Sequence, residues 1–151
     1  MKTEQLYVIG HPIAHSQSPK IHGHWINHFG LDAQYDVMDI KPDLLERRLG
    51  ELKSMGVKGL NVTIPHKQAI ISFLDHLDET AKKIGAVNTV VRDKAGQWVG
   101  YNTDAYGFIE NLHQQHPDWS ADSGPVAIYG AGGAAFAAVY ALHDAGCQDI
   151  H

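Results

Sequence analysis

Asn61, Thr63, His66 and Lys67 lie close together in the stretch Gly59-Leu-Asn-Val-Thr-Ile-Pro-His-Lys67, and all four carry groups that can meet a ligand's oxygens. An ammonium is both a cation and an acid, so Lys67 is the member suited to an oxygen on which negative charge develops. Each residue also has a plainer reading. Asn61 and Thr63 could be outward strand residues, and Lys67 a solvated lysine in the first turn of a helix.

Two further segments offer matching chemistry. Ser16 and Ser18 stand where an apolar run, Leu6-Tyr-Val-Ile9, gives way to Pro19 and a helical pattern. A helix amino terminus leaves free N–H groups, and hydroxyls beside them can bind oxygens. Ser18 also fits as a simple N-cap, with Pro19 at the first helical position. Asn88 is polar inside the apolar run Ala86 to Val91, and so needs a hydrogen-bonding partner, either a ligand or the protein itself. Asp104 precedes Ala105, Phe108, Ile109 and Leu112, which makes it an N-cap, a functional carboxylate, or both. Among eleven histidines, His24 and His28 are four apart with His22 nearby. Nothing at ligand spacing adds a carboxylate or thiolate, so they read as a polar helix face and no metal is expected.

The elements that must carry these groups follow from the apolar pattern. Leu60, Val62 and Ile64 alternate with Asn61 and Thr63, as in a strand whose faces meet different surroundings, and Pro65 ends it. That strand, Lys58 to Ile64, would release His66 and Lys67 at its carboxyl end, where open α/β sheets bind ligands. Before it come a strand at Leu6–Ile9, a helix with Ile21, Trp25 and Phe29 on one face, a strand at Gln34–Ile40, and a helix striped by Leu45, Leu49 and Leu52. This β-α-β-α-β order implies a parallel sheet. A helical segment is expected from Gln68 to near Gly85, with Ile71, Leu74 and Leu77 on its apolar side. A hairpin follows, Ala86–Val91 with Gln97–Tyr101, and its second arm delivers Asn102-Thr-Asp104.

Pro125-Val-Ala-Ile-Tyr129 reads as a new strand, followed at once by Gly130-Ala131-Gly132-Gly133-Ala134 and an alanine-rich helix to Leu142. In that context the glycines allow a tight turn and close approach of backbone to a pyrophosphate, and Ala135 takes the usual third glycine's place. The alternative is a plain small-residue junction. Length and 44% hydrophobic content allow a substantial core. A net charge of -5 and no long basic run argue against nucleic acid or an anionic membrane as partner. The polar start and the lone Cys147 suggest a cytoplasmic protein.

Five motifs in register give the chain a wider resemblance: Ser16-Gln-Ser-Pro19, Asn61-Val-Thr-Ile-Pro-His-Lys67, Gly85-Ala-Val-Asn-Thr89, Gly100-Tyr-Asn-Thr-Asp104 and Gly130-Ala-Gly-Gly-Ala134. Over essentially its whole length the sequence resembles the shikimate dehydrogenase family. That resemblance implies NADPH-dependent, reversible reduction of 3-dehydroshikimate to shikimate, within chorismate and aromatic amino acid biosynthesis. It implies that Ser16, Ser18, Asn61, Thr63, Asn88 and Asp104 hold the substrate and that Lys67 transfers the proton; the chemistry of an ammonium that needs a neighbouring carboxylate adds the expectation that Lys67 pairs with Asp104. It assigns Gly130, Ala131, Gly132, Gly133 and Ala134 to NADP, with Glu79 at a position sometimes linked to the nucleotide. The expected fold is α/β: a mostly parallel substrate-binding sheet domain over 1–104, a connecting helix and linker over 105–124, and the start of a Rossmann-type domain over 125–151. Phe136 departs from the family's usual arginine. The second strand of the dinucleotide unit is at most begun by Gln148 to His151, so the chain is expected to be a portion of a longer enzyme, inactive alone. Alternatives are a non-catalytic module for shikimate-like polyols and a quinate/shikimate dehydrogenase. An exposed sheet edge at the carboxyl terminus makes self-association, including a homodimer, an expectation too.

Overall fold

The computed structural model describes residues 3–151. Six strands form one sheet in the order β2-β1-β3-β5-β6-β4. They are β1 (Glu4–Gly10), β2 (Ala33–Asp39), β3 (Gly59–Val62), β4 (His76–Leu77), β5 (Thr89–Arg92) and β6 (Trp98–Tyr101). β1 runs parallel to β2 and β3, and β4 parallel to β6, whereas the hairpin strand β5 is antiparallel to both β3 and β6. α1 (Ser18–His28) and α2 (Leu45–Met55) supply the crossovers that keep β1, β2 and β3 parallel. Leu45, Leu49 and Leu52 of α2 are buried against Ile9, Leu60, Val62, Val90 and Trp98. Each such aliphatic side chain contributes roughly 1.5–3 kcal/mol by leaving water. Gly56, in the left-handed conformation at φ 80°, ends α2 and turns the chain into β3. The face of α1 carrying Ile21, Trp25 and Phe29 stays exposed, and no residue of that helix is fully buried. Among the described residues no helix is long and apolar enough to cross a membrane.

Helical periodicity misreads the segment from Gln68 to Gly85. Instead of one helix it holds the short α3 (His66–Ala69), a 3-10 turn at Ile70–Phe73, the strand β4, and α4 (Glu79–Ile84). Pairing across the sheet decides this. The Asp75 carboxylate accepts the Trp98 backbone N–H at 2.7 Å, and the Asp78 N–H donates to the Gly100 carbonyl at 2.9 Å. Leu74 and Leu77 fill the space above Gly100 so closely that a Cβ there would come within 2.6 Å of Leu74 Cδ1. Asp78 then caps α4 by accepting the Ala81 N–H at 2.8 Å.

Beyond β6 the chain forms α5 (Asp104–Gln115) and α6 (Gly133–Asp144). The strand expected at Pro125–Tyr129 is a single parallel bridge, Val126 to Ile150, extended by the Ile128 N–H to the His151 carbonyl at 2.7 Å. Ala137 and Ala141 of α6 pack with Ile84, Ala86 and Ala105, so this second strand and helix unit is seated on the first one.

Candidate active site

Lys67 and Asp104 meet although 37 residues separate them. Lys67 sits in α3 just past the end of β3, and its Nζ donates to Asp104 Oδ2 at the first turn of α5. The two side chains keep 17% and 30% of their surface exposed, enough for a ligand to reach a pair otherwise held by protein. Asn88 completes the arrangement. Its Nδ2 donates to Asp104 Oδ1 and to Thr103 Oγ1, both at 2.8 Å, while its Oδ1 accepts the Thr103 N–H at 3.0 Å. Asn88 therefore has its partners within the protein, and both carboxylate oxygens of Asp104 are engaged. Backbone bonds fix the same junction: Val87 N–H to the Lys67 carbonyl at 2.7 Å and Val62 N–H to the Asn88 carbonyl at 2.8 Å.

Asp104 is not the cap of α5. Thr103 holds the cap position without using its side chain, and the buried Asn102 does that work: its Oδ1 accepts from the Asp104 N–H at 3.0 Å and the Ala105 N–H at 3.4 Å. Its amide also donates to the Ala86 carbonyl at 2.9 Å. By taking over the cap, Asn102 leaves the Asp104 carboxylate free for Lys67. Sequence reasoning passed over Asn102; its place two residues before a helix-opening aspartate was the available signal.

Asn61 faces a second group. The Tyr35 hydroxyl donates to Asn61 Oδ1 at 2.7 Å, and Asn61 Nδ2 reaches Thr89 Oγ1 at 3.4 Å. Burial pushes the Tyr35 phenol up to about 12, opposed by its hydrogen bond with Ser18. His22 stacks on the Tyr35 ring at 4.2 Å, and burial lowers its imidazole pKa. With its oxygen committed to Tyr35, Asn61 has its amide N–H groups left for Thr89 and a ligand's oxygen. Tyr35→Phe, which keeps the ring and removes the hydroxyl, is expected to weaken ligand binding about tenfold, the size of one such bond, with unchanged affinity in a calorimetric titration as the contrary result. The pattern of β2 shows Tyr35 only as a strand residue.

The two serines behave differently from the expectation. Ser18 is the first residue of α1 rather than its cap, Gln17 holds the cap position, and no side chain caps the helix. Ser16 Oγ accepts the Ser18 N–H at 3.3 Å, a local loop bond. Ser16 thus braces the turn at the start of α1. Thr63 lies against Gly10, where a Cβ would come within 2.6 Å of Thr63 Cγ2, so the missing side chain brings the end of β1 onto the end of β3. His66 is not released at the strand's end as expected. It is buried, with its Nε2–H donating to the Ile40 carbonyl at 2.7 Å, because the turn after Pro65 directs it into the core.

The glycine run closes the site from the other side. Gly130 has φ +132°, a conformation that side chains disfavour, and Gly132 precedes the first turn of α6 with no side-chain cap. Thr63, Ile64, Pro65, Lys67, Gln68, Gly132, Gly133 and Ala134 line a cavity of about 350 Å³. Lys67 therefore borders both this cavity and Asp104. Glu79 opens α4, mostly exposed and paired with Lys82 at 2.7 Å, without a hydrogen bond to the cluster. Phe136 is partly exposed on α6. His24 and His28 stack at 6.0 Å on α1.

A family model described as the shikimate dehydrogenase substrate binding domain matches residues 8–90. The chain belongs to that family. Among its relatives is the shikimate dehydrogenase (NADP(+)) of Paramagnetospirillum magneticum, 50% identical over 143 residues, which are 95% of this chain and 52% of that one. The crystal structure of the Thermus thermophilus shikimate 5-dehydrogenase with NADP(H) and shikimate matches with a TM-score of 0.85 and 38% identity, covering 97% of this chain and 55% of that one. A ligand-free 5-ketofructose reductase from a Gluconobacter strain matches with a TM-score of 0.83 and 34% identity, over 99% of this chain and 53% of its own. The chain spans about half the length of the curated shikimate dehydrogenases it matches. In family terms, the mixed, mostly parallel sheet is the shikimate dehydrogenase substrate-binding architecture, and the model covers the sheet from Val8 to Val90.

Proposed function

We propose that this chain is the substrate-holding part, with the first cofactor-binding turn, of an NADP-dependent shikimate dehydrogenase, which reduces 3-dehydroshikimate reversibly to shikimate. The observation that carries this reading is the Lys67–Asp104 pair, braced by Asn88, at the border of a cavity whose far wall is the glycine loop. Residues 1–104 hold substrate, 105–124 connect, and 125–151 begin the dinucleotide-binding unit.

Ser16, Ser18, Asn61 and Thr63 exchange hydrogen bonds with the ring hydroxyls and carboxylate, Asp104 accepts from a ring hydroxyl, and Asn88, whose amide is engaged within the protein, serves the substrate by holding Asp104. The loop Gly130, Ala131, Gly132, Gly133 and Ala134 suits a pyrophosphate, because glycine lets backbone approach and the first turn of α6 has N–H groups without helical partners. Bound NADPH supplies the hydride. Lys67 stands at the ketone oxygen, stabilises the negative charge that grows there, and gives it a proton as the C–O bond becomes single. In the reverse direction Lys67 takes that proton back. Asp104 holds the ammonium in place and binds the adjacent hydroxyl. The contacts of Glu79 add no support for a nucleotide role. A cytoplasmic location is part of this reading, supported by a lone cysteine, Cys147, that forms no internal disulfide, and sedimentation would show whether two copies pair as a homodimer.

Calorimetric titration of this chain with shikimate, quinate, NADP and 5-ketofructose tests the reading. Binding of shikimate ahead of quinate is the expected result. Preference for 5-ketofructose would move the site to the second reading favoured by the Gluconobacter relative, and a folded chain that binds none of these polyols would overturn both. Shikimate binding without turnover, even in a form extended to the relatives' length, would favour a non-catalytic polyol module.

A further inference from the structure

Gly133 opens α6 directly over the stem of Lys67. A Cβ built on Gly133 would lie 3.1 Å from Lys67 Cβ and 3.3 Å from Lys67 Cδ, inside the usual carbon contact distance of about 3.5–4.0 Å, with Ala86 Cβ at 3.5 Å on the other side. The backbone of Gly133 is helical, so conformational freedom does not explain a glycine there. Helix propensity would favour alanine by about 1 kcal/mol. Two reasons for a glycine remain: backbone approach to a pyrophosphate, and the close approach to Lys67 seen here.

Lys67 is also held at its other two points. Its carbonyl accepts the Val87 N–H at 2.7 Å, and its ammonium is on Asp104. Only the aliphatic stem between them lacks a polar partner, and that stem is what α6 covers. We propose that Gly133 is a positioning residue for Lys67: by lacking a side chain it lets the first turn of α6 seat the lysine stem and so hold the ammonium on Asp104. This rests on the reading of Lys67 as the proton donor at the substrate, and it gives one residue of the glycine loop a task distinct from contacting a nucleotide. It also makes the loop and the substrate site one mechanical unit. A ligand that shifts the loop then changes the affinity for substrate, and the reverse, by the same factor.

The test compares Gly133→Ala with Gly107→Ala, which adds the same methyl to α5 where nothing lies within 4 Å. In protein carrying carbon-13 lysine, the Lys67 ε-methylene resonance is identified by its loss in Lys67→Ala. Gly133→Ala is expected to move that resonance in the same direction as Asp104→Asn, and to weaken shikimate binding about tenfold. Gly107→Ala should do neither. A Lys67 resonance unmoved in folded Gly133→Ala, or moved with shikimate affinity intact, would overturn the proposal. Should Gly133→Ala fail to fold, the double variant Gly133→Ala/Lys67→Gly removes both Cβ and Cδ of the lysine, and recovery of folding supports the crowding while continued failure refutes it. Unaltered chain that binds no shikimate overturns the functional reading, whereas an unmoved Lys67 resonance in Gly133→Ala overturns the placing of Lys67 by Gly133.

Discussion

Lys67→Ala is expected to lower kcat for ketone reduction by about 10²–10⁴-fold, the usual effect of removing a positioned general acid. The measurement suits a chimera in which residues 1–151 are joined to the remaining length of the Paramagnetospirillum magneticum relative. Two effects add. The alkoxide loses its proton source and its cation together, and the Asp104 carboxylate, still bonded to Asn88, is left facing that oxygen with its own charge. Lys67→Arg separates them. A guanidinium keeps the ion pair with Asp104 but does not release a proton at accessible pH, so shikimate binding should persist while turnover falls. Near-normal turnover with unchanged pH dependence in Lys67→Ala would remove Lys67 from the chemistry. Asp104→Ala should weaken substrate binding more than Asp104→Asn, because it leaves the Lys67 ammonium and the Asn88 amide without their shared acceptor.

Trp98→Ala should cost about 3–5 kcal/mol of stability, the range for emptying a large buried aromatic site. Trp98 is 1% exposed in the main core, and its strand β6 bridges the hairpin to β4. Its backbone N–H is bound by Asp75, which also holds Lys53 at 2.7 Å, and that ammonium lies 5.9 Å from the indole centroid. The indole Nε1 has no hydrogen-bond partner among the described residues. Trp98→Phe therefore forfeits ring area but also removes a buried unpaired donor, and should lose markedly less. Urea unfolding of the two variants reads the difference. Equal losses would mean that the indole N–H has a partner after all, and a loss under 1 kcal/mol in Trp98→Ala would contradict its place in the core.

Much of the scaffold is written in short-range pattern. Leu60 and Val62 face inward and Asn61 does not, as their alternation implies, and the Leu45, Leu49 and Leu52 stripe is buried as its spacing requires. Both patterns report on burial of one face, which period alone encodes. The same reasoning misplaced His66, because a residue just past a strand's end can turn either way and only the Ile40 carbonyl decides which. It also took β4 for helix. Leu74 and Leu77 fit a helical stripe, but the Asp75 and Asp78 bonds to β6 and the packing of both leucines over Gly100 hold the segment as strand.

The amino-acid sequence alone determined the kind of chemistry available: an ammonium after a strand, a carboxylate at a helix start, a glycine loop after a second strand, and the family these motifs resemble. Those are properties of residue type and local spacing. Only the tertiary structure decided which groups meet. It braced the Lys67–Asp104 pair, which the sequence already suggested, with Asn88, gave Asn102 the helix cap, tied Asn61 to Tyr35, and laid Gly133 on the lysine stem. The reason is physical. Local spacing sets which face a side chain occupies, whereas partners tens of residues apart are set by the packing of whole elements, and that packing depends on every side chain in the core at once.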